Sequence, residues 1–141
     1  DVYEGDYQQG ERTGSGIFTY ANGDKYIGNF KDGEQFGQGT FHWKNGATYE
    51  GQCIGNVQNG KGKYTWANGD VYEGNWKNGK FHGEGILRTA DGMRFKGTFE
   101  NGMRHGRGIS EDKDGNRFEG TFKNDMKDLI LGWRGVMLLH F

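Results

Sequence analysis

The residue types that could do chemistry are few and widely spaced. His82 and His105 are the closest thing to a pair of metal ligands, and Glu50 and Glu73 are the closest thing to an acid–base pair of carboxylates. Each pair is separated by the same 23 residues. The stretch from Gly55 to Gly60-Lys61 has the outline of a phosphate-binding loop, but Gly62 stands where Ser or Thr must meet Mg²⁺. Ser110 to Gly115 has the outline of a calcium loop, but Thr121 occupies the twelfth place, which a bidentate Glu must fill. Cys53 is the only cysteine, so no disulfide can form within the chain and a reducing compartment fits. None of these features places a nucleophile next to a base. The reading is of a chain that is not an enzyme and has no cofactor, metal or catalytic residue. What remains is an unusual supply of rings: aromatics are 15% of the sequence.

The elements that position these rings follow from the glycines. There are 28 in 141 residues, about 20% against a usual 7% or so, and nearly all fall in register with a period of 23. Counting each unit from an aromatic, the first place is Tyr3, Tyr26, Tyr49, Tyr72, Phe95 and Phe118. The third is Gly5, Gly28, Gly51, Gly74, Gly97 and Gly120. The twelfth and fourteenth are paired glycines, such as Gly60 and Gly62, and the twenty-first closes each unit with Asn-Gly or Asp-Gly, as in Asn68-Gly69 and Asp91-Gly92. A fixed period of this length means stacked units, each unable to bury its apolar face alone. At about 10 Å per two-strand unit, His82 and His105 cannot share one zinc at ~2.1 Å bonds. They read as loop histidines, and Glu50 and Glu73 as solvated charges on an outer face.

Each unit reads as two short strands. Tyr72-Glu73-Gly74-Asn75-Trp76 alternates with period two, and Gly60, Gly62, Tyr64 and Trp66 share one face of the next strand type. Parity selects the turn between units. A two-residue loop pairs Tyr64 with Glu73 and scatters the rings over both faces; a three-residue loop, Ala67-Asn68-Gly69, pairs Tyr64 with Tyr72 and Gly62 with Gly74. The expectation is a type I turn with glycine in a left-handed bulge. A six-residue connection from Lys77 to His82 completes the unit. The predicted fold is all-β: an elongated, single-layer antiparallel β-meander of about eleven strands with a twisted, aromatic-lined trough. Glycines at the third, twelfth and fourteenth places are expected to leave bare backbone under the rings. Residues 1–124 hold five full units and the first strand of a sixth. Residues 125–141 hold a degenerate sixth unit, in which Leu129 and Leu131 replace the strand glycines, and the apolar tail Val136–Phe141, read as a cap. Cys53 and Asn56, in places held by a ring and a glycine elsewhere, mark the third unit as the weakest or most bent.

Rings at the first and fifth places recur almost everywhere and read as packing. The eighteenth place differs: Tyr20, Trp43 and Trp66 give way to Thr89 and Asp112. The fold does not demand a ring there, so these three are the leading candidates for partner contact, with Tyr7, Phe30 and Trp76 beside them. Aromatic anchors supply large contact area at low entropy cost.

Tyr72-Glu73-Gly74-Asn75-Trp76-Lys77-Asn78-Gly79-Lys80-Phe81-His82-Gly83-Glu84-Gly85 resembles the MORN repeat (membrane occupation and recognition nexus), and the resemblance runs from Tyr3 to about Asn124. It implies a twisted array of β-hairpins without catalysis of its own. It further implies a scaffold that binds a helical or extended partner segment along its aromatic groove, in a cytoskeletal, ciliary or axonemal assembly of the cytoplasm. Self-association into a homodimer and binding of anionic phospholipid are implied alternatives. A choline-binding array of aromatic hairpins is a third, disfavoured by the double glycine at places twelve and fourteen.

Charge bears on these partners. Eighteen basic residues face nineteen acidic ones, for a net charge of −1, with no polybasic cluster to hold an anionic membrane and no basic field for nucleic acid. Leu, Ile, Val and Phe make up only about 18% of the chain, a level that goes with disorder when net charge is high, and here it is not. No run of about 18 apolar residues and no signal-peptide pattern is visible, which sets the expectation against a membrane span.

Overall fold

The computed structural model describes residues 1–124 and 126–127, and these form one antiparallel sheet in strict chain order. The strands are β1 Val2–Gln8, β2 Glu11–Thr19, β3 Lys25–Lys31, β4 Glu34–His42, β5 Thr48–Ile54, β6 Val57–Thr65, β7 Val71–Lys77, β8 Lys80–Arg88, β9 Arg94–Glu100, β10 Met103–Glu111, β11 Arg117–Lys123 and the short β12 Met126–Lys127. Each strand pairs only with its neighbours in sequence. This is the expected meander. Leu129, Leu131 and the apolar tail, for which a closing cap is expected, lie outside the described residues.

The turns between units are those parity selects. Gly62 opposes Gly74 and Tyr64 opposes Tyr72. The Gly69 N–H donates to the Trp66 carbonyl at 3.0 Å and the Trp66 N–H to the Asp70 carbonyl at 2.8 Å, closing the three-residue loop. Gly69 carries the left-handed φ of +98° that the bulge requires. Side chains cap these turns and link them along one rim of the ribbon. Asn68 Oδ1 accepts from the Asp70 N–H, and the Asp70 carboxylate accepts from the Ala90 N–H of the next turn at 2.8 Å.

The connection inside each unit is shorter than the expected six residues. β7 runs to Lys77 and β8 starts at Lys80, leaving only Asn78-Gly79, with φ of +51° and +80°. That is a type I′ turn. The missing residues sit in a wide bulge, because Gly74 opposes Gly85 but Trp76 opposes Phe81. His82, Gly83 and Glu84 thus face Asn75 alone. Two extra residues preserve parity, which is why the rings still share a face. Gly83 at φ +81° makes the bend. The twelfth-place glycines therefore serve backbone conformation and do not make room for rings: a Cβ on Gly83 would meet the side chain of Asn75. His82 and His105 lie in strands β8 and β10 at this bulge, not in loops.

The third unit is intact at its tip. Gly55-Asn56 reverses the usual order, but a type I′ turn needs positive φ at both residues, and Asn adopts it readily (φ +57° and +68°). Asn56 Oδ1 also accepts from the Gln35 N–H at 2.8 Å. Asn56→Gly keeps an unstrained turn and loses only this bond, so it should lower stability by no more than about 1 kcal/mol. Asn56→Ala should lower it by about 1–3 kcal/mol in urea unfolding, losing the bond and straining the turn.

The core is a file of rings on one face. Tyr26, Tyr49, Tyr72 and Phe95 are at most 1% exposed. Three fifth-place rings, Phe30, Trp76 and Phe99, each stand edge-on between two first-place rings. Phe30 meets Tyr3 and Tyr26 at 5.1 and 5.2 Å, Trp76 meets Tyr49 and Tyr72 at 5.1 and 5.5 Å, and Phe99 meets Tyr72 and Phe95 at 5.0 and 5.3 Å. All six contacts are within 4° of perpendicular, the arrangement that sets a positive ring edge on a negative ring face. Cys53 replaces one link of this zigzag. Tyr3, Tyr26, Tyr49, Tyr72 and Phe95 each lie against a cross-strand glycine pair, as Tyr72 does against Gly74 and Gly85, and the Tyr72 hydroxyl donates to the Asn75 carbonyl at 2.8 Å.

Burial shifts the ionisable groups of this core. It pushes the Cys53 thiol up to about 11 from a usual value of 9.0, and raises the Tyr26, Tyr49 and Tyr72 hydroxyls above 10.0. The folded state holds these protons more tightly, so their contribution is intact below pH 9 and lost as pH rises beyond it. The urea midpoint should be flat from pH 7 to 8.5 and fall by pH 10.5, and Cys53 should react with a thiol reagent only on unfolding. A midpoint constant to pH 10.5 would contradict this.

Candidate functional site

A second file of rings runs beside the buried one. Phe18, Tyr20, Phe41, Trp43, Tyr64, Trp66 and Phe81 are all half-buried. Consecutive centroids are 4.7, 5.7, 4.5, 5.2, 4.8 and 5.7 Å apart. The file is built from the sixteenth and eighteenth places of the first three units and ends on Phe81 of the fourth. Strand alternation places both rings of each pair over the core, and the register between strands sets neighbouring pairs in contact. Gln35 Nε2 donates to the Tyr20 hydroxyl at 2.9 Å and fixes that ring. Partial burial raises the hydroxyls of both Tyr20 and Tyr64.

The structure explains why the file stops. At the eighteenth place Thr89 and Asp112 cap their turns. Thr89 Oγ1 accepts from the Met93 N–H and bonds Asp91. Asp112 Oδ1 accepts from the Asp114 and Asn116 N–H groups at 2.9 Å, and the bond from the Asn116 side chain helps hold its carboxyl below the usual range. In the ring-bearing units the turn is capped from within by Asn22, Asn45 or Asn68, which leaves the eighteenth side chain without that task.

The six residues singled out from the sequence divide three ways. Tyr20, Trp43 and Trp66 lie together in the half-buried file. Phe30 and Trp76 are 5% and 6% exposed, inside the core, where Trp76 Nε1 donates to the Gly62 carbonyl at 3.0 Å. Tyr7 is 62% exposed at the N-terminal edge and touches Tyr3 at 5.0 Å. Phe18, Phe41, Tyr64 and Phe81 were not singled out. The alternation that sets Tyr64 and Trp66 on one face is the sequence signal for Phe18, Phe41 and Tyr64 at the sixteenth place; Phe81, at the tenth, has no such signal.

The other face of the sheet also differs from expectation. The rings close over their own face, and the open depression lies opposite. A groove of about 1080 Å³ runs across strands β4 to β11, floored by the glycine pairs and walled by side chains that include Glu50 and Glu73. Those glutamates are thus groove residues. They are separated by Lys63, which opposes both across its two neighbouring strands. Among the described residues no group of three His, Cys, Asp or Glu side chains is placed to hold a metal ion, and no helix is long and apolar enough to cross a membrane.

The sequence pattern of the MORN repeat family matches residues 3–25, 26–48, 49–71, 72–94, 95–117 and 118–128. The chain belongs to the MORN-repeat family. No curated protein matches it significantly. MORN repeats are a non-enzymatic repeat type that serves in protein and membrane interaction. In this MORN array the recurring parts of each unit, the buried rings and their glycines, are taken up by the packing of the sheet.

Proposed function

We propose that this MORN array is a non-catalytic docking scaffold that holds a helical or extended segment of a partner protein against the half-buried ring file, centred on Tyr20, Trp43 and Trp66. The observation that carries the reading is a continuous aromatic stripe over the first three units, at a place where Thr89 and Asp112 show that the fold needs no ring. Rigid half-exposed aromatics in a row are anchors suited to partner recognition. The family resemblance supports a cytoplasmic, cytoskeleton-associated or ciliary setting. Charge supports protein over phospholipid: the net charge is −1 and the groove mixes both signs.

Proximity labelling in cells with the native chain and Trp43→Ala/Trp66→Ala tests this. The double variant should lose its principal neighbours while remaining folded, and Phe36→Ala, an exposed ring outside the file, should keep them. An unchanged set of neighbours in the double variant would remove the ring file as the docking site.

A further inference from the structure

We infer that the ring file takes a left-handed polyproline II segment, whose prolines at i, i+3 and i+6 rest against Tyr20, Trp43 and Trp66. The inference rests on the reading of the file as the docking site and names the conformation of its occupant. The three rings hold the same place in successive units and so stand two strands apart, about 10 Å at ~4.8 Å per strand. The rings between them set the same limit. Phe41 lies 5.7 Å from Tyr20 and 4.5 Å from Trp43, and Tyr64 lies 5.2 Å from Trp43 and 4.8 Å from Trp66. A polyproline II helix repeats its side chains every three residues, or about 9.3 Å, so one edge of it meets all three rings in turn. An extended β segment spans the interval in about three residues, and its middle contact then points away from the rings. An α-helix spans it in about seven residues, which also fall on one face. Spacing leaves these two helices.

Hydrogen bonding separates them. In the core, Trp76 Nε1 and the hydroxyls of Tyr26, Tyr49 and Tyr72 all donate to backbone carbonyls. In the file the pattern changes. Among the described residues nothing accepts from the indole N–H of Trp43 or Trp66 or from the Tyr64 hydroxyl, and none of these three groups is sealed from solvent. Donors are thus interleaved with the apolar anchors. The interior carbonyls of an α-helix are occupied by its own hydrogen bonds. A polyproline II segment has no internal hydrogen bonds and presents every carbonyl. It is also ordered before it docks, so aromatic-lined surfaces can hold it at low entropy cost.

Three peptides test this: four Pro-Pro-Gln triplets in L-residues, the same sequence in D-residues, which winds in the opposite hand, and an Ala/Gln/Lys helix with Leu at every seventh place. Fluorescence anisotropy should show the L-peptide binding at least tenfold tighter than the other two. In NMR spectra of the native chain, the L-peptide should move the indole N–H resonances of Trp43 and Trp66 and leave that of Trp76 in place. Both readouts use the native chain, so they stand whether or not a variant folds. Trp43→Phe/Trp66→Phe, which keeps rings and removes two donors, should weaken binding at least threefold. Equal binding of the D-peptide or of the helix, unmoved Trp43 and Trp66 resonances at millimolar L-peptide, or undiminished binding by the Phe variant would overturn the polyproline II assignment. If the Trp43→Ala/Trp66→Ala variant nevertheless loses its neighbours in proximity labelling, the file still docks a partner, in another conformation. Unchanged neighbours remove the docking site itself.

Discussion

Gly74→Val should unfold the middle of the array. A Cβ at this position would lie 2.5 Å from both the Gly85 Cα and the Glu84 carbonyl oxygen of the paired strand, and 2.9 Å from the Tyr72 hydroxyl. Two of these three neighbours are backbone and cannot rotate away. Relief requires either parting β7 from β8 or lifting Tyr72 off its glycine bed. Overpacking alone costs about 1–3 kcal/mol, and breaking the ladder adds to it. The expected drop is on the order of 10 °C in a thermal melt. Because each unit touches only its neighbours, the loss should also split one transition into two. The contrast is Gly79→Asn in the type I′ turn, where φ is +80°. Nearby atoms leave room there, 3.5 Å from the Val57 and Gln58 side chains, so the effect should be small.

The second large effect concerns the ring on that bed. Tyr72 is fully buried and touches Trp76, Phe81 and Phe99 at centroid distances of 5.5, 3.9 and 5.0 Å. Tyr72→Ala removes the link that joins two units and leaves a cavity over two bare glycines. A cost of about 3–5 kcal/mol is expected in urea unfolding, the range for deleting a buried ring. Tyr72→Phe should cost only about 1 kcal/mol, since it loses just the bond to the Asn75 carbonyl. Phe95 occupies the equivalent place without a hydroxyl and is equally buried. A Tyr72→Ala protein as stable as the native chain would mean that the core lies elsewhere.

Much of this fold was legible in the sequence because period and parity are counting arguments. The 23-residue repeat gave the strand number, and the requirement that Tyr64 and Tyr72 share a face gave the three-residue turn before any geometry was known. The turn inside each unit was misjudged for a physical reason. Asn78-Gly79 with two positive φ values needs the strands to meet directly, and the sequence offers no alternation across His82-Gly83-Glu84, because those residues are bulged out of register. Gly83 consequently looked like Gly85, although one is selected by φ and the other by the space Tyr72 needs. Asn56 looked like a defect because glycine is the commoner solution to a conformation that Asn also adopts.

The site was legible in part. Variation at the eighteenth place singled out Tyr20, Trp43 and Trp66, and the structure sets them in one half-exposed file. Phe30 and Trp76 could not be told from these by type or spacing. Their burial depends on the first-place rings of two units closing on each fifth-place ring, which is a three-dimensional fact. The groove was hidden for the same reason. Which face of a single-layer sheet is filled and which is open depends on how far the rings tilt over the glycines, and no count of residues reveals that tilt.

The central claim is that first-place rings lie flat on cross-strand glycine pairs and form the core from one face of a single sheet. Solution NMR tests it directly. Gly39, Gly62, Gly85 and Gly108 should show Hα resonances strongly shifted upfield by the ring currents of Tyr26, Tyr49, Tyr72 and Phe95, with cross-peaks from each ring to its own glycine pair. Glycine Hα shifts at ordinary values for all four residues, or cross-peaks from those rings to residues of the opposite face such as Lys63 and Glu73, would contradict the account.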